Sequence, residues 1–432
     1  MVAEGAHATI GLKSLATTEF PPRHVPKGRC VSAIPLETAL KEKSRELGFD
    51  LFGIAAAVRP EGFDWLKRWL DRGFAGEMHY FPRREAAYEH PSGVLPPVRS
   101  VVMLAMNYHS TAQPNFLPLP LGVGRGEGTA SRETLDDEPI VRPIGLPPDE
   151  GQPQDESLTL ALSQRERGPG GRVASYALGS RDYHDLLRER LRSLGDFLHD
   201  LRPGCRTRAC VDTAPLLERD FAKLTGLGWF GKNTMLINKR MGSFFFLAAL
   251  LTDVELQPDE PHHTSHCGTC TRCLDACPTD AFVEPYVLDA RKCISYLTIE
   301  QRDQPIAMEL RLQMGDWVFG CDICQDVCPW NRKAPESNEP AFAPRDKLNP
   351  VDLEWLLSLD EAGFENHFAN TPMHRTGRAA LLRNAAIALG NSGDPRALPV
   401  LDRALHDPEP LVHEAAEWAI KHQASGAASA SW

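Results

Sequence analysis

The 432-residue chain has no run of about 18 consecutive apolar residues, the length a membrane-crossing helix requires. Its first stretch, MVAEGAHATIGLKSLATTEFPPRHVPKG, holds neither the apolar core of a secretory signal nor a twin-arginine pair. A cytoplasmic protein with no membrane partner is the expectation. Basic charge is also scarce. The 47 Lys and Arg face 58 Asp and Glu, a net charge of −11, which by itself argues against nucleic acid. The acidity is uneven, however. Residues 133–156 hold Glu133, Asp136, Asp137, Glu138, Asp149, Glu150, Asp155 and Glu156 against Arg142 alone. The remainder is only mildly acidic and has room for a basic face. With 42% hydrophobic and 24% charged residues, the composition is that of a globular protein of two or three domains.

What is plentiful is cysteine, and it is concentrated. Seven of the 11 cysteines lie in CGTCTRCLDACP (Cys267–Pro278) and CDICQDVCP (Cys321–Pro329). Disulfides disperse and pair cysteines, whereas a reducing compartment permits tight thiolate clusters for metal.

The rest of the chain is organised around these runs. Residues 1–30 read as a disordered tail. Leu36, Leu40 and Leu47 recur at helical intervals in LETALKEKSRELGF, DLFGIAAA reads as a strand, and Ser100–His109 as a second, buried strand. An α/β domain begins there. Residues 111–170 are too rich in Pro, Gly and acid to pack, and read as a surface insertion. In SYALGSRDYHDLLRERLRSLGDFLHDL, Ser180 is the expected helix cap, and Tyr183, Leu187, Leu191, Leu194 and Leu198 form the apolar stripe. NTMLINKRMGSFFFLAALL reads as two strands joined by a turn ending at Gly242. At the C-terminus, LLRNAAIALG (Leu381–Gly390) is echoed by LVHEAAEWAI (Leu411–Ile420) thirty residues on, with Asp-Pro breaks between. That is a helical-hairpin repeat of the HEAT type.

Cys267, Cys270, Cys273 and Cys277 are spaced x2, x2, x3 and followed by Pro278, the bacterial ferredoxin run. The tight loop turns three sulfurs onto one cubane, and the fourth, before proline, reaches a second cluster. Cys321, Cys324 and Cys328 repeat the x2, x3 spacing, but Val318 stands where a further ligand would be. Cys293, in RKCISYLT, is the remaining cysteine in the neighbourhood. Eight thiols then serve two four-iron clusters: Cys267, Cys270, Cys273 and Cys328 the first, and Cys277, Cys293, Cys321 and Cys324 the second. Zinc is the alternative, but a tetrahedral ion fits three consecutive C-x2-C steps poorly. Cys30, Cys205 and Cys210 read as plain thiols.

Two clusters pass electrons singly, and a long segment before them must use those electrons. There VDTAPLLER and GLGWFGKNT, with CISYLT, CDICQDVCP and the repeat tail, resemble the epoxyqueuosine reductase family over most of residues 35–421. The resemblance implies a cytosolic, cobalamin-dependent enzyme. It would remove the epoxide oxygen from a modified base at the tRNA wobble position, with two electrons and two protons. It implies an α+β multidomain fold: a nitroreductase-like cobalamin-binding domain (31–258, interrupted by 111–170), a double-cluster ferredoxin-like domain (259–345), HEAT-like repeats (346–424) and a short tail (425–432). Asp212 is implied as the proton donor and a cobalamin contact. A carboxyl group that donates at neutral pH needs a desolvated pocket that raises its pKa. Outside the resemblance, Asp212 reads as a turn residue before Thr-Ala-Pro.

Further site residues follow at the level of position. Ser295 and Asp322, next to cluster ligands, Leu236, and Tyr88, which stands where relatives carry an arginine, are expected cobalamin contacts. Lys232 and Asn233 are read either as cofactor or tRNA contacts or as a turn into a strand. Glu218 and Arg219 are read as a structural ion pair. The D-x-H-x-x-G motif that binds cobalt is not met, since Leu187 stands where its glycine is required, so His184 is expected on a helix surface and off the metal. Expected tRNA contacts are Arg291, Lys292, Arg332, Lys333, Arg375, Arg378 and Arg383, gripping phosphates in a salt-dependent way. An unnamed electron donor is also required, and the chain is expected to be a monomer. Two rival readings remain: a reductive dehalogenase-like corrinoid enzyme, and a non-enzymatic electron-transfer module that leaves VDTAPLLER without a role.

Overall fold

The computed structural model describes residues 34–110 and 170–429. The expectations for the N-terminal tail and for nearly all of the 111–170 insertion lie outside these residues. From Leu36 on, the described residues form one compact unit.

The first layer is a four-stranded sheet of order β1-β2-β7-β4, with β1 Leu51–Ala56, β2 Ser100–Asn107, β4 Thr207–Val211 and β7 Phe245–Thr252. Every pairing in it is antiparallel, within the α+β fold that was expected. Alternation along β2 and β7 splits their side chains between two cores. Val102, Leu104, Met106, Ala248 and Leu250 face the helices Leu36–Glu46 and Tyr183–Leu201. Val101, Met103, Ala105, Ala249 and Leu251 face the helix Glu218–Leu224. Leu187, Leu191, Leu194 and Leu198 are fully buried, as their spacing predicts, each contributing on the order of 2 kcal/mol. The helix cap is Asp182, not Ser180. Its carboxylate accepts from the His184 backbone N–H at 2.9 Å, while Ser180 precedes the helix by three residues.

The expected strand pair after residue 233 divides differently from its reading. The two-residue strands β5 Trp229–Phe230 and β6 Leu236–Ile237 form a hairpin of their own, and a turn through Asn238 and Gly242 leads into β7. Gly242 has φ +66°, and a Cβ there would fall 2.0 Å from Asn331 Oδ1, so only glycine fits. A small hairpin, β8 Phe282–Glu284 and β9 Val287–Leu288, lies between the cysteine runs.

The three segments read as domains are joined by one small sheet. β3 (Gly170–Val173) pairs with β10 (Trp317–Phe319), which precedes Cys321, and with β11 (Val351–Asp352), which opens the repeats. A single core runs from Val173 through Ile294 and Trp317 to Leu381 and Ala419. The repeat echo corresponds to the helices Arg378–Asn391 and Pro410–Ser429, which cross closely at Gly390, where a Cβ would lie 2.7 Å from Ala419 Cβ. The second helix continues to Ser429, so residues 425–429 are helical and not tail. Among the described residues no helix is long and apolar enough to cross a membrane.

Candidate active site

Asp212 directly follows edge strand β4. Its Oδ1 lies 2.5 Å from His184 Nε2, and its Oδ2 accepts from the Tyr183 hydroxyl. The other ring nitrogen of His184, Nδ1, lies 2.7 Å from Asp182 Oδ1, and Asp182 Oδ2 accepts from Arg375 Nη2 at 3.0 Å. Four residues therefore run in series: Arg375, Asp182, His184 and Asp212. The His184 side chain is 4% exposed and that of Asp212 45%, so the carboxylate is the end open to a substrate.

His184 is thus not a surface residue, contrary to its reading. Asp182, as helix cap, turns the first turn of the helix so that the imidazole lies against its own carboxylate and packs inward. Both ring nitrogens are engaged, which leaves neither for cobalt. The raised pKa expected of Asp212 is also not found. Burial pushes it up, but the hydrogen bond and charge of His184, the Tyr183 hydroxyl and Arg375 outweigh this, and the net shift is downward. His184 moves the opposite way: burial lowers its pKa, the two flanking carboxylates raise it more, and the net shift is upward. The pair holds its shared proton on the ring.

The loop carrying Asp212 is pinned by two arginines. Arg84 Nη1 donates to the Thr213 carbonyl at 2.9 Å, and Arg188 Nη2 to the Thr213 hydroxyl at 3.0 Å. Glu218 and Arg219 make no ion pair, because adjacent positions on a helix do not face each other. Arg219 donates to the Thr234 carbonyl at 2.8 Å, and Glu218 Oε1 is buried without a hydrogen-bond partner. Burial, with the charge of Asp212 adding to it, pushes Glu218 well above the usual carboxylate range.

The eight cysteines fall into two neighbouring groups. Burial pushes the Cys273 thiol up to about 11, and Cys328, Cys267 and Cys270 add to the shift. Burial likewise raises Cys321 and Cys324, with Cys293 contributing to both and Cys277 to Cys324. Cys273 also raises Cys324, ahead of Cys277, so the cysteines of the two runs lie close together. Among the described residues no three His, Cys, Asp or Glu side chains converge closely enough for a single metal ion. A cubane spreads its four thiolates wider than a lone tetrahedral ion does. The Trp229 indole N–H is buried without a partner, on a ring packed with Cys328 and Cys267. A cluster sulfur would supply its missing acceptor.

The GKN segment joins sheet layer and cages. Lys232 Nζ donates to the carbonyls of Gly268 (2.8 Å) and Cys270 (3.0 Å), and Asn233 Nδ2 to that of Cys324 (3.2 Å). Behind them Ser243, Gln325 and Asn331 form a buried network. The second cage faces the sheet layer. The Asp322 carboxylate, 1% exposed, accepts from Ser175 N and Oγ at 2.6 Å, and the next residue, Tyr176, meets the Tyr183 ring edge-on at 6.0 Å.

The remaining expected contacts are placed as follows. Tyr88 and Leu236 are buried, Tyr88 against Phe81, and Ser295 is half-buried. Asp322 is 1% exposed, and its carboxylate accepts from Ser175. Of the basic residues, Lys292, Arg332 and Lys333 are exposed. Arg291 is paired with Asp289, and Arg375 with Asp182. Arg378 is paired with Asp407 at 2.5 Å. Arg383 is fully buried and donates to the carbonyls of Gln301, Gln304 and Leu297, so it binds backbone and no nucleic acid. Sequence reasoning missed Asp182 and the function of Tyr183. The available signal was the Asp-Tyr-His triplet at a helix start, which places an acid at the cap two residues before a histidine.

A sheet layer with an aspartate-ended proton chain, two thiolate cages and a helical-repeat tail define a two-cluster iron–sulfur reductase. Comparisons with known proteins carry this further. Residues 266–331 match the 4Fe-4S double cluster binding domain, 381–407 the PBS lyase HEAT-like repeat, and 151–213 the family described as Epoxyqueuosine reductase QueG, DUF1730. The last match begins inside the stretch read as an insertion. The chain is 38% identical to the epoxyqueuosine reductase of Pseudomonas aeruginosa over 389 residues, covering 89% of this chain and 94% of that one. It is 36% identical to that of Escherichia coli over 389 residues, 90% and 89%. The chain belongs to the epoxyqueuosine reductase family. A crystal structure of epoxyqueuosine reductase with an epoxyqueuosine-modified tRNA-Tyr stem loop superposes with a TM-score of 0.73, at 30% identity and 90% coverage of both chains. So does the Bacillus subtilis enzyme with its aspartate-bearing catalytic loop swung out of the active site, at 0.71, 28% identity and 90% of both.

Proposed function

We propose that this chain reduces epoxyqueuosine in the anticodon loop of tRNA to queuosine, using two four-iron clusters and cobalamin, with Asp212 delivering a proton. The balance is one epoxide, two electrons and two protons to one alkene and one water. The carrying observation is the 2.5 Å contact of Asp212 with His184, at the end of a proton chain that opens beside the second cage.

Asp212 acts as the exposed terminus of a two-residue acid. The proton resting on His184 passes through the carboxylate to the oxygen leaving carbon, and the imidazole is held in place by Asp182 and Arg375. This arrangement supplies an acid near neutral pH without a raised carboxyl pKa. Tyr183 fixes the other carboxylate oxygen. Glu218, whose pKa burial and the charge of Asp212 both push up, is a candidate second proton source, and two protons are needed.

Burial raises the thiols of Cys273, Cys293, Cys321, Cys324 and Cys328, so their thiolates would need the charge of iron to compensate them. The sheet layer is read as the nitroreductase-like cobalamin-binding part. A corrinoid carries amides around an apolar ring, and the unpartnered Glu218 Oε1 fits an amide donor. Tyr88, Leu236 and Ser295 would border it, and no side chain needs to ligate its metal, since both His184 nitrogens are taken. Cobalamin, when bound, supplies a strongly reducing cobalt centre. Lys292 is the remaining exposed basic candidate for tRNA phosphate on the segment carrying Cys293.

The test is anoxic reconstitution with cobalamin, followed by single-turnover assay on tRNA bearing the epoxide. Formation of queuosine is the expected result. No epoxide loss by protein with both clusters and bound corrinoid would overturn the reading.

A further inference from the structure

Each turnover consumes two electrons, and the chain's own store is two one-electron clusters, so they must be refilled from outside. The structure orders the cages. The second lies inward: Asp322 and Gln325 beside its cysteines are buried, and Gly320, next to Cys321, packs on the Tyr176 ring, where a Cβ would come within 3.4 Å of Cε1. Tyr176 leads to Tyr183 and so to Asp212. The first cage lies outward. Gly268, Thr269, Thr271 and Arg272 of its loop are exposed, and its inner flank is closed by Trp229 and Trp330, at 5.0 Å.

Beside this outer cage two turns abut. One carries Lys239 and Arg240 and closes at Gly242 against Asn331. The other carries Arg332 and Lys333, directly after Asn331 and a few residues beyond Cys328. All four side chains are exposed, and none forms an ion pair among the described residues, whereas Arg291, Arg375 and Arg378 are each paired. Outside residues 133–156 the chain is only mildly acidic, and these four unpaired cations on two abutting turns make a locally basic face.

We propose that Lys239, Arg240, Arg332 and Lys333 form the docking surface for a small acidic one-electron carrier protein, which reduces the outer cluster. An acidic carrier would be steered to this face, which brings its redox centre to the side of the cage that holds Cys328. RNA is the other polyanion this charge could attract. Asp212 is linked through Tyr183 and Tyr176 to the side of the second cage, so a substrate at Asp212 would leave the first cage as the end for a donor. The inference rests on the proposed role of the clusters, but its test does not need turnover.

The experiment follows bleaching of the cluster absorbance of the cluster-loaded protein, without tRNA or cobalamin, in stopped flow. The reductants are an acidic flavodoxin in its hydroquinone form and, separately, photoreduced deazaflavin. The fourfold variant Lys239→Glu, Arg240→Glu, Arg332→Glu, Lys333→Glu should lose about tenfold or more of the flavodoxin rate constant and its salt dependence. The deazaflavin rate should be unchanged, which also reports intact clusters. Glutamine at the same four positions should give an intermediate loss and guards against misfolding of the reversed variant. An unchanged flavodoxin rate in both variants overturns the proposal. An unchanged rate together with weakened tRNA binding assigns the face to RNA. Failure of the epoxide assay would count against the proposed reaction and leaves this readout intact.

Discussion

His184 Nε2 stands 2.5 Å from Asp212 Oδ1, and the two groups shift their pKa values in opposite directions. The upward shift of His184 stabilises the fold below its ordinary pKa of about 6.5 and is lost as pH rises through the higher folded value. The downward shift of Asp212 stabilises above its ordinary value and is lost as pH falls through the lower folded one. The charged pair is therefore intact across neutral pH. If the ring proton is the one delivered, turnover should fall on the alkaline side of the raised His184 pKa. His184→Asn should lower kcat by roughly a hundredfold and remove that limb. A pH–rate profile checks this. An unchanged alkaline limb in the variant would take His184 out of the proton path.

Replacing Asp212 by Asn keeps the shape but leaves His184 facing an amide. Cluster spectra and corrinoid binding should be retained while turnover falls by roughly 10²–10⁴. The His184 pKa should also drop, because one of its two carboxylates is gone. NMR titration of the ring reads this independently of catalysis. Full activity in the variant would remove Asp212 as the donor.

Arg84 and Arg188 hold the Thr213 carbonyl and hydroxyl from two different elements. Each exposed contact contributes on the order of 1 kcal/mol to the closed loop. The double variant Arg84→Ala, Arg188→Ala should therefore shift the loop population by roughly tenfold to a hundredfold. Hydrogen exchange at 212–216 should rise and kcat should fall, with cluster content unchanged. Exchange equal to wild type would show that the loop is held by other contacts.

The legible parts were those with strong local grammar. The x2, x2, x3 cysteine run encodes its own loop, and the leucine stripe of Tyr183–Leu201 encodes its buried face. What escaped depended on chain segments far apart. Asp182 meets Arg375 across 193 positions, and no local pattern announces that. His184 was read outward because helical periodicity counts leucines and does not see a cap carboxylate turning a ring inward. Arg383 looked like surface charge because guanidinium groups usually are, yet the backbone carbonyls at its tip satisfy it in the core. The sheet's antiparallel order was not legible because its neighbouring strands β2, β7 and β4 are far apart in the sequence, so no hairpin turn announces their pairing.

Arg383 and Asn384 fasten the repeat helices to the cluster region. The guanidinium donates to the carbonyls of Gln301, Gln304 and Leu297, and Asn384 Nδ2 to those of Thr298 and Val318. Burial lowers the Arg383 pKa to about 10, so the charge persists at neutral pH. Arg383→Ala leaves several buried carbonyls without donors and should cost about 3–5 kcal/mol. Thermal unfolding of the cluster-loaded protein measures it. A loss below about 1 kcal/mol would mean that water replaces the guanidinium.

The proposed crossing of Cys277 and Cys328 between the two cages gives the last prediction. In a non-crossed scheme Cys277 would complete the first cage, following Cys267, Cys270 and Cys273. In this structure Cys328 packs with Cys267, and Cys293 senses Cys277. Cys293→Ser and Cys277→Ser should therefore damage the same, inner cluster, each leaving about four irons per chain. Cys328→Ser should damage the outer one. The variants are told apart by electron paramagnetic resonance of the reduced protein, since the surviving cluster differs in its surroundings: tryptophan-flanked when outer, tyrosine-flanked when inner. If instead Cys328→Ser and Cys293→Ser leave the same signal, the ligands do not cross. If Cys277→Ser matches Cys293→Ser, the crossing is established, and electrons have a through-chain route between the cages along residues 273–277.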